Sequence, residues 1–316
     1  MTTATRSYLK VPYDLRPAKQ VERRMFIDVL MKLSTAGFPI SDYQYTGMGS
    51  ICFVDHILFH RYLGISRLLS VEHDPNIEKR VKFNKPFRHV NIEMKPIGEV
   101  IPNLDRDLKH ILWLDYDDII RADIISDVVL ACNRLSPGSL LIITVDVHPP
   151  ESGEGPRDWM EYYREQAGDY FELGWKADDF SPSRLPEASA GILLNAIKRG
   201  LVGRSKASFY NLFKFEYADG HRMLTVGGMI TTDSEKNKLS GAALGSVPFV
   251  RLDPKAGPFV IRVPTLTRKE RLYLDSHMPC DNGWLPDEDD FELGQEDVND
   301  YRDIYRFYPT FAELLL

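Results

Sequence analysis

Glycines and acids stand at the ends of hydrophobic runs in this sequence. Tyr45-Thr46 leads into Gly47-Met48-Gly49-Ser50, Glu72 closes Arg67-Leu68-Leu69-Ser70-Val71, and Asp115-Tyr116-Asp117-Asp118 follows Ile111-Leu112-Trp113-Leu114. Glycines just past a strand let the backbone approach a bulky ligand and offer main-chain N–H groups to it. An acid ending the next strand can accept both hydroxyls of a ribose. Acids that end a buried run cost desolvation unless they meet donors, a metal or a substrate. A helix start with Asp117 or Asp118 as N-cap is the plainer reading of that segment. Asp146 and His148 close a further run, Leu140 to Val145. With Asp115 and Asp117 they offer ligands to a divalent cation, but four such scattered positions do not signal a metal, and none is assigned. His148, before Pro149-Pro150, reads as a loop histidine, although a base titrating near neutrality would be useful there.

The elements that must position these residues alternate. Val21, Met25, Phe26, Val29, Leu30 and Leu33 recur at helical spacing after Pro17, and Gly37 and Pro39 close that helix. Strand-like runs follow at 43–46, 67–72, 90–94, 111–115 and 140–146. Helical stretches lie between them at 51–62, 76–85, around 98–104, and at 121–135. Five strands alternating with helices predict a parallel, right-handed α/β sheet. The polar stretch 149–204 is too long for a simple crossover. It carries helices near 157–171 and 188–199 and, emerging where the acids lie, is expected to cover a substrate pocket. Runs at 208–217 and 221–230, joined by Asp219-Gly220, predict a hairpin. Thr267-Arg268-Lys269-Glu270 reads as a capping box, and Val298, Tyr301, Ile304 and Tyr305 form one face of a last helix.

Composition sets outer limits. The chain has 316 residues, 43% hydrophobic and 27% charged, as a globular protein does. No apolar run approaches the roughly 18 residues of a membrane span, and Met1 to Lys10 holds no leader-like apolar segment. Cys52, Cys132 and Cys280 show no paired spacing, so a reducing, cytoplasmic setting is expected. Residues 1–40 carry +4 and residues 281–316 carry −9 of a net −7. The near-neutral body speaks against a dedicated nucleic-acid binder without excluding nucleic acid as a partner. The acidic end reads as a solvated face or as a docking surface for a protein partner. Arg16 to Arg24 reads as a solvated helix start, with contact to a phosphate or acidic substrate as the sharper alternative.

Five β/α units finished by an antiparallel hairpin, with these glycines and acids in place, resemble the class I (Rossmann-like) S-adenosylmethionine-dependent methyltransferases. The resemblance spans about residues 40–232. It implies a mostly parallel seven-stranded sheet, with 1–39 as a helical segment ahead of the core, 149–204 as an insertion and 233–316 as an extension. It further implies that Tyr45, Thr46, Gly47, Met48, Gly49, Glu72, Met94 and Asp115 hold S-adenosylmethionine and that Asp115 and Tyr116 face the transferred methyl. The family's third glycine and its acid ahead of the first glycine are replaced by Ile51 and Tyr45. The acceptor, for O- or N-methylation, is not legible. Two other readings remain: a nicotinamide-dependent oxidoreductase, and a methyltransferase-fold module that binds a nucleotide or partner without catalysis. Methyl transfer from an activated sulfonium needs mainly positioning and exclusion of water, so no catalytic triad is expected.

Overall fold

Strands β4 (His110–Asp115) and β5 (Leu140–Asp146) are covered on both faces, which is why their sequences run apolar without alternating. The computed structural model describes residues 16–49, 51–204, 206–287 and 291–310. Met1 to Lys10, Ser50 of the glycine turn, and residues 288–290 and 311–316 of the acidic end lie outside the described residues.

Strands β1 (Gln44–Met48), β2 (Arg67–Glu72) and β3 (Val90–Met94) run outward to one edge of the sheet, with β4 and β5 on the other side of β1. A hairpin of β6 (Ser208–Asp219) and β7 (His221–Thr231) completes the core, and β8 (Phe259–Ile261) is added outside it. The order is β3-β2-β1-β4-β5-β7-β6-β8. Strands β1 to β5 pair in parallel, while β7 runs antiparallel to both β5 and β6. This is the Rossmann-like methyltransferase sheet with its inverted seventh strand. The hairpin turns where Asp-Gly predicts it, with Gly220 at φ 96°.

Among the described residues the sheet has eight strands rather than the seven expected. The eighth pairs in parallel with β6, and its inward residues Phe259 and Ile261 are buried among Phe215 and Phe249. Three residues are too few for alternation to announce a strand.

Alternate residues of β4 and β5 feed two cores. Helix α1 (Pro17–Thr35) and helix α2 (Val54–Leu63) cover Ile111, Trp113, Leu140 and Ile142 on one face. The other face, with Leu112, Leu114, Leu141 and Ile143, is covered by helices α5 (Ala122–Arg134), α6 (Pro156–Ala167) and α7 (Leu185–Gly200). Short helices α3 (Glu78–Phe83) and α4 (Ile97–Val100) connect the outer strands. Residues 149–204 therefore pack largely on a sheet face and supply the crossover from β5 to β6. The helix after β4 starts at Ala122 with Arg121 as N-cap, later than Asp117 and Asp118. Asp118 instead pairs with the Arg121 guanidinium at 2.6 Å.

Beyond the hairpin lie α8 (Asp233–Ser240), α9 (Arg268–His277) and α10 (Gln295–Ile304). The capping box opens α9 as read: the Glu270 carboxylate accepts from the Thr267 N–H at 2.7 Å, and the Thr267 hydroxyl accepts from the Glu270 N–H at 3.3 Å. Val298, Tyr301 and Ile304 are the buried face of α10, while Tyr305 lies in the turn that follows.

The glycines after Thr46 have a packing reason of their own. Gly49 donates its N–H to the Val71 carbonyl. A Cβ at Gly49 would come within 2.8 Å of that oxygen and 2.9 Å of the Glu72 Cβ, and one at Gly47 would strike the Tyr45 ring. Gly49 thus keeps the ends of β1 and β2 in contact, while Gly47 leaves room for the Tyr45 ring of its own strand. Gly49→Ala should lower stability by about 1–3 kcal/mol, the usual cost of overpacking, seen as a lower urea midpoint with unchanged slope. An unchanged midpoint would show that the two strand ends separate freely.

Candidate active site at the carboxyl edge of the sheet

Because β1, β2, β3, β4 and β5 are parallel, their carboxyl ends share one edge, where open α/β sheets bind ligands. Three of the expected site residues meet along one half of it. Gly49 abuts Glu72, and Glu72 sits level with Met94 in the β2–β3 register. Glu72 is nearly buried, and its Oε1 accepts from the backbone N–H groups of His73 at 2.7 Å and Asp74 at 3.0 Å. Its Oε2 accepts nothing among the described residues, as a group awaiting a ligand hydroxyl would.

Tyr45 and Thr46 lie deeper. Tyr45 is fully buried with its ring against Phe59 and His56, at centroid distances of 4.6 and 4.9 Å. Thr46 is also fully buried and accepts from Gln44 Nε2 at 3.2 Å. Met48 is half-buried and packs toward the other core. Asp115 and Tyr116 part company. Tyr116 turns away from the α1 side, and its hydroxyl donates to Asp127 of α5 at 2.8 Å. The phenol thus braces β4 against α5, in the core that also holds Leu112, Leu114 and Ile124.

Asp115 faces α1. Its Oδ1 accepts from the Lys19 ammonium at 2.6 Å. The same ammonium donates to the Tyr217 hydroxyl at 2.9 Å, lies 3.1 Å from Glu22 Oε2, and sits 4.3 Å from the Trp113 ring centroid. Lys19 and Glu22 are fully buried and Arg23 is 3% exposed. Arg23 pairs with Asp55 in the first turn of α2. The first turn of α1 is held from the sheet, since both Asp219 oxygens accept its N–H groups, from Ala18 at 3.0 Å and from Lys19 at 2.8 Å.

Below this cluster runs a directed chain of donors. Trp113 Nε1 donates to Thr144 Oγ1 at 3.0 Å, and the Thr144 and Thr225 hydroxyls are 2.8 Å apart. Thr225 donates to Glu22 Oε1, so the Thr144 proton points to Thr225. Burial pushes the Glu22 carboxyl up, more than Lys19 and the Thr225 hydroxyl pull it down. Burial acts the same way on Asp115, but there the charge and hydrogen bond of Lys19, aided by Arg16 and Arg23, prevail and hold the carboxyl below its usual range. Two carboxylates around one ammonium are thus driven apart, an arrangement that separates the acid and base members of catalytic pairs.

The composition of Arg16 to Arg24 suggested a solvated helix start, and the structure reverses that. Lys19, Glu22 and Arg23 extend the apolar stripe of Phe26, Leu30 and Leu33 toward the helix start at spacings of three and four, and that stripe was the signal for their burial. Nothing local marks Tyr217, Thr225 or Asp55 as their partners. Surface cavities of about 450 Å³ beside Ser152, Gly153 and Asp158, in the segment that follows β5, and of about 620 Å³ between α1, β8 and α10 do not include Gly49, Glu72 or Asp115 in their linings.

Residues 11–316 match the model of a protein family described as "Putative O-methyltransferase". The chain belongs to this O-methyltransferase family. No curated protein matches it. Similar solved structures include cofactor-bound Rv0187 from MTB, at 11% identity over 65% of this chain and 80% of that one, TM-score 0.38. The O-methyltransferase TomG from Streptomyces achromogenes, involved in tomaymycin synthesis and solved with SAM, is 15% identical over 68% of this chain and 87% of its own, TM-score 0.37. The N-methyltransferase NodS from Bradyrhizobium japonicum WM9 is 8% identical over 67% and 97%, TM-score 0.36. Among the described residues of this family member, no helix is long and apolar enough to cross a membrane.

The raised Glu22 carboxyl has a pH consequence. A folded-state pKa above the unfolded value, about 4.3, contributes stability at low pH that is lost as pH rises through the folded value. Glu22→Gln mimics the protonated form, so it should melt close to wild type near pH 4 and gain on it as pH rises to the folded-state value, then hold that lead. A variant that loses ground as pH rises would show Glu22 to be a stabilising anion instead.

Proposed function

We propose that this protein is an S-adenosylmethionine-dependent methyltransferase that modifies an oxygen of its acceptor. The observation that carries the reading is the Glu72 carboxylate. It ends β2 beside a backbone-close glycine, with one oxygen fixed by two N–H groups and the other accepting nothing among the described residues. A ribose offers the two hydroxyl donors such an acceptor suits. Membership of an O-methyltransferase family supports the reaction class. The nicotinamide reading is not favoured by the inverted β7 between β5 and β6, since the dinucleotide fold carries a parallel 3-2-1-4-5-6 sheet.

The cofactor supplies an activated methyl, and the protein's part is to hold, orient and dry the site. Gly49 and Glu72 would seat it on the β1–β2 side, with Met94 beside the ribose end. Asp115, across β1, is the one expected reacting group that stays at the edge. Its carboxyl, held low by Lys19, remains an anion through neutral pH and is a weak proton acceptor. It is better suited to orienting the acceptor hydroxyl than to removing its proton. Trp113 and Tyr217, buried under the ammonium, keep water from that side.

Titration with S-adenosylhomocysteine tests the cofactor. At 100 times Kd it should stabilise the protein by about 2.7 kcal/mol, and Glu72→Ala should weaken binding by about 1.5–3 kcal/mol. Absence of any shift with wild type would remove the cofactor assignment, and an unaltered affinity in the variant would remove Glu72 alone. Asp115→Asn should reduce kcat by about 10²-fold with cofactor affinity retained, the scale of lost alignment. A drop near 10⁴-fold with a new pH dependence would reveal a general base instead.

A further inference from the structure

Asp146, at the end of β5, is 6% exposed and has an imidazole at each oxygen. Its Oδ1 lies 2.7 Å from His148 Nδ1, and its Oδ2 lies 3.0 Å from His221 Nδ1. His221 opens β7, and the antiparallel β5–β7 pairing brings the hairpin tip beside the end of β5. The two rings are 5.3 Å apart at 76°. One ligand atom from each of the three residues lies within 4.8 Å of the other two.

We propose that Asp146, His148 and His221 bind one divalent transition-metal ion of the zinc class. Nitrogen and oxygen ligands held about 2.0–2.2 Å from a tetrahedral ion stand roughly 3.4 Å apart. The two N···O separations, 2.7 and 3.0 Å, need to widen only slightly to admit it. Two imidazoles with one carboxylate favour zinc-class ions over magnesium or calcium. Both rings are solvent-exposed, which leaves the remaining coordination positions open to water or a ligand.

The rival arrangement, two ring N–H groups donating to a buried carboxylate, leaves a conflict at His148. Its Nδ1 is also 3.3 Å from the Arg222 N–H, and Asp146 Oδ1 already accepts the His148 backbone N–H at 2.7 Å. A protonated Nδ1 serves the carboxylate but turns a proton toward an amide donor. A bare Nδ1 can accept from the amide but then opposes the carboxylate lone pair to lone pair. A cation there satisfies the Nδ1 and Oδ1 lone pairs and displaces the long 3.3 Å contact with the amide. The inference concerns binding and is independent of the cofactor reading above.

The test uses full-length protein stripped with chelator and titrated with Zn²⁺ by calorimetry, with Co²⁺ as the optical probe. One equivalent of Zn²⁺ should bind and raise the melting temperature. Co²⁺ should give visible bands that Zn²⁺ abolishes and excess Mg²⁺ does not. Loss of an outer partner of a metal ligand already costs roughly 10–100-fold in affinity, so His221→Ala should cost at least that, and His148→Ala with His221→Ala should abolish the bands. Because these variants also take partners from Asp146, the melting shift with Zn²⁺ is read for each against its own stripped form. No stoichiometric binding, Mg²⁺ competing as an equal, or undiminished Zn²⁺ affinity in the double variant would each overturn the assignment. The wild-type Co²⁺ spectrum decides the matter even if a variant folds poorly.

Discussion

The ammonium of Lys19, sealed between a helix and the sheet, is the constraint around which the α1 face is organised. A lone cation there would be prohibitively costly, so Asp115, Glu22, the Tyr217 hydroxyl and the Trp113 ring must all be where they are. Breaking a buried pair by removing one partner typically costs about 3–5 kcal/mol, because the other charge stays behind. Such a cluster leaves α1 no freedom to slide along the sheet. Asp219 blocks its first turn, and near the helix middle Arg24 donates to the Tyr308 carbonyl at 2.8 Å. A helix that precedes the first strand is thereby fastened to β4, to the hairpin and to the segment that follows α10.

That fastening divides the two faces chemically. Apolar side chains dominate the α5–α7 face. The α1 face carries a polar seam from Trp113 through Thr144 and Thr225 to Glu22. Consecutive residues at the end of β4 show the division most plainly. Asp115 completes the seam, and Tyr116, one residue on, braces the opposite layer through Asp127. Strand alternation, not any property of the residues themselves, decides which of the two lies at the candidate site.

What the sequence discloses follows from the range of the interactions involved. Apolar runs, the Asp219-Gly220 turn, the Thr267–Glu270 box and the stripe of α1 are signals carried within a few residues, and each corresponds to an element of the structure. The polar partners are not local. Lys19 meets Asp115 across 96 residues and Thr225 meets Glu22 across 203, so nothing near either residue announces the pairing. The glycine turn illustrates a different limit. Gly47 and Gly49 stand where a ligand-binding loop begins, yet steric contact with Tyr45, Val71 and Glu72 already accounts for the absence of side chains there.

Strand β8 gives the C-terminal region a protective task. β6 is twelve residues long and would be an open border of the sheet, and β8 covers only Phe215 to Tyr217 of it. The Arg251 N–H, donated to the Leu212 carbonyl at 2.9 Å, closes one more position. An uncovered border of that length invites a strand from another molecule. The stretch after the hairpin therefore acts as a selvedge, a finished margin that stops neighbouring sheets from knitting together. Shortening the chain behind β7 would put colloidal stability at risk before it touched the carboxyl edge.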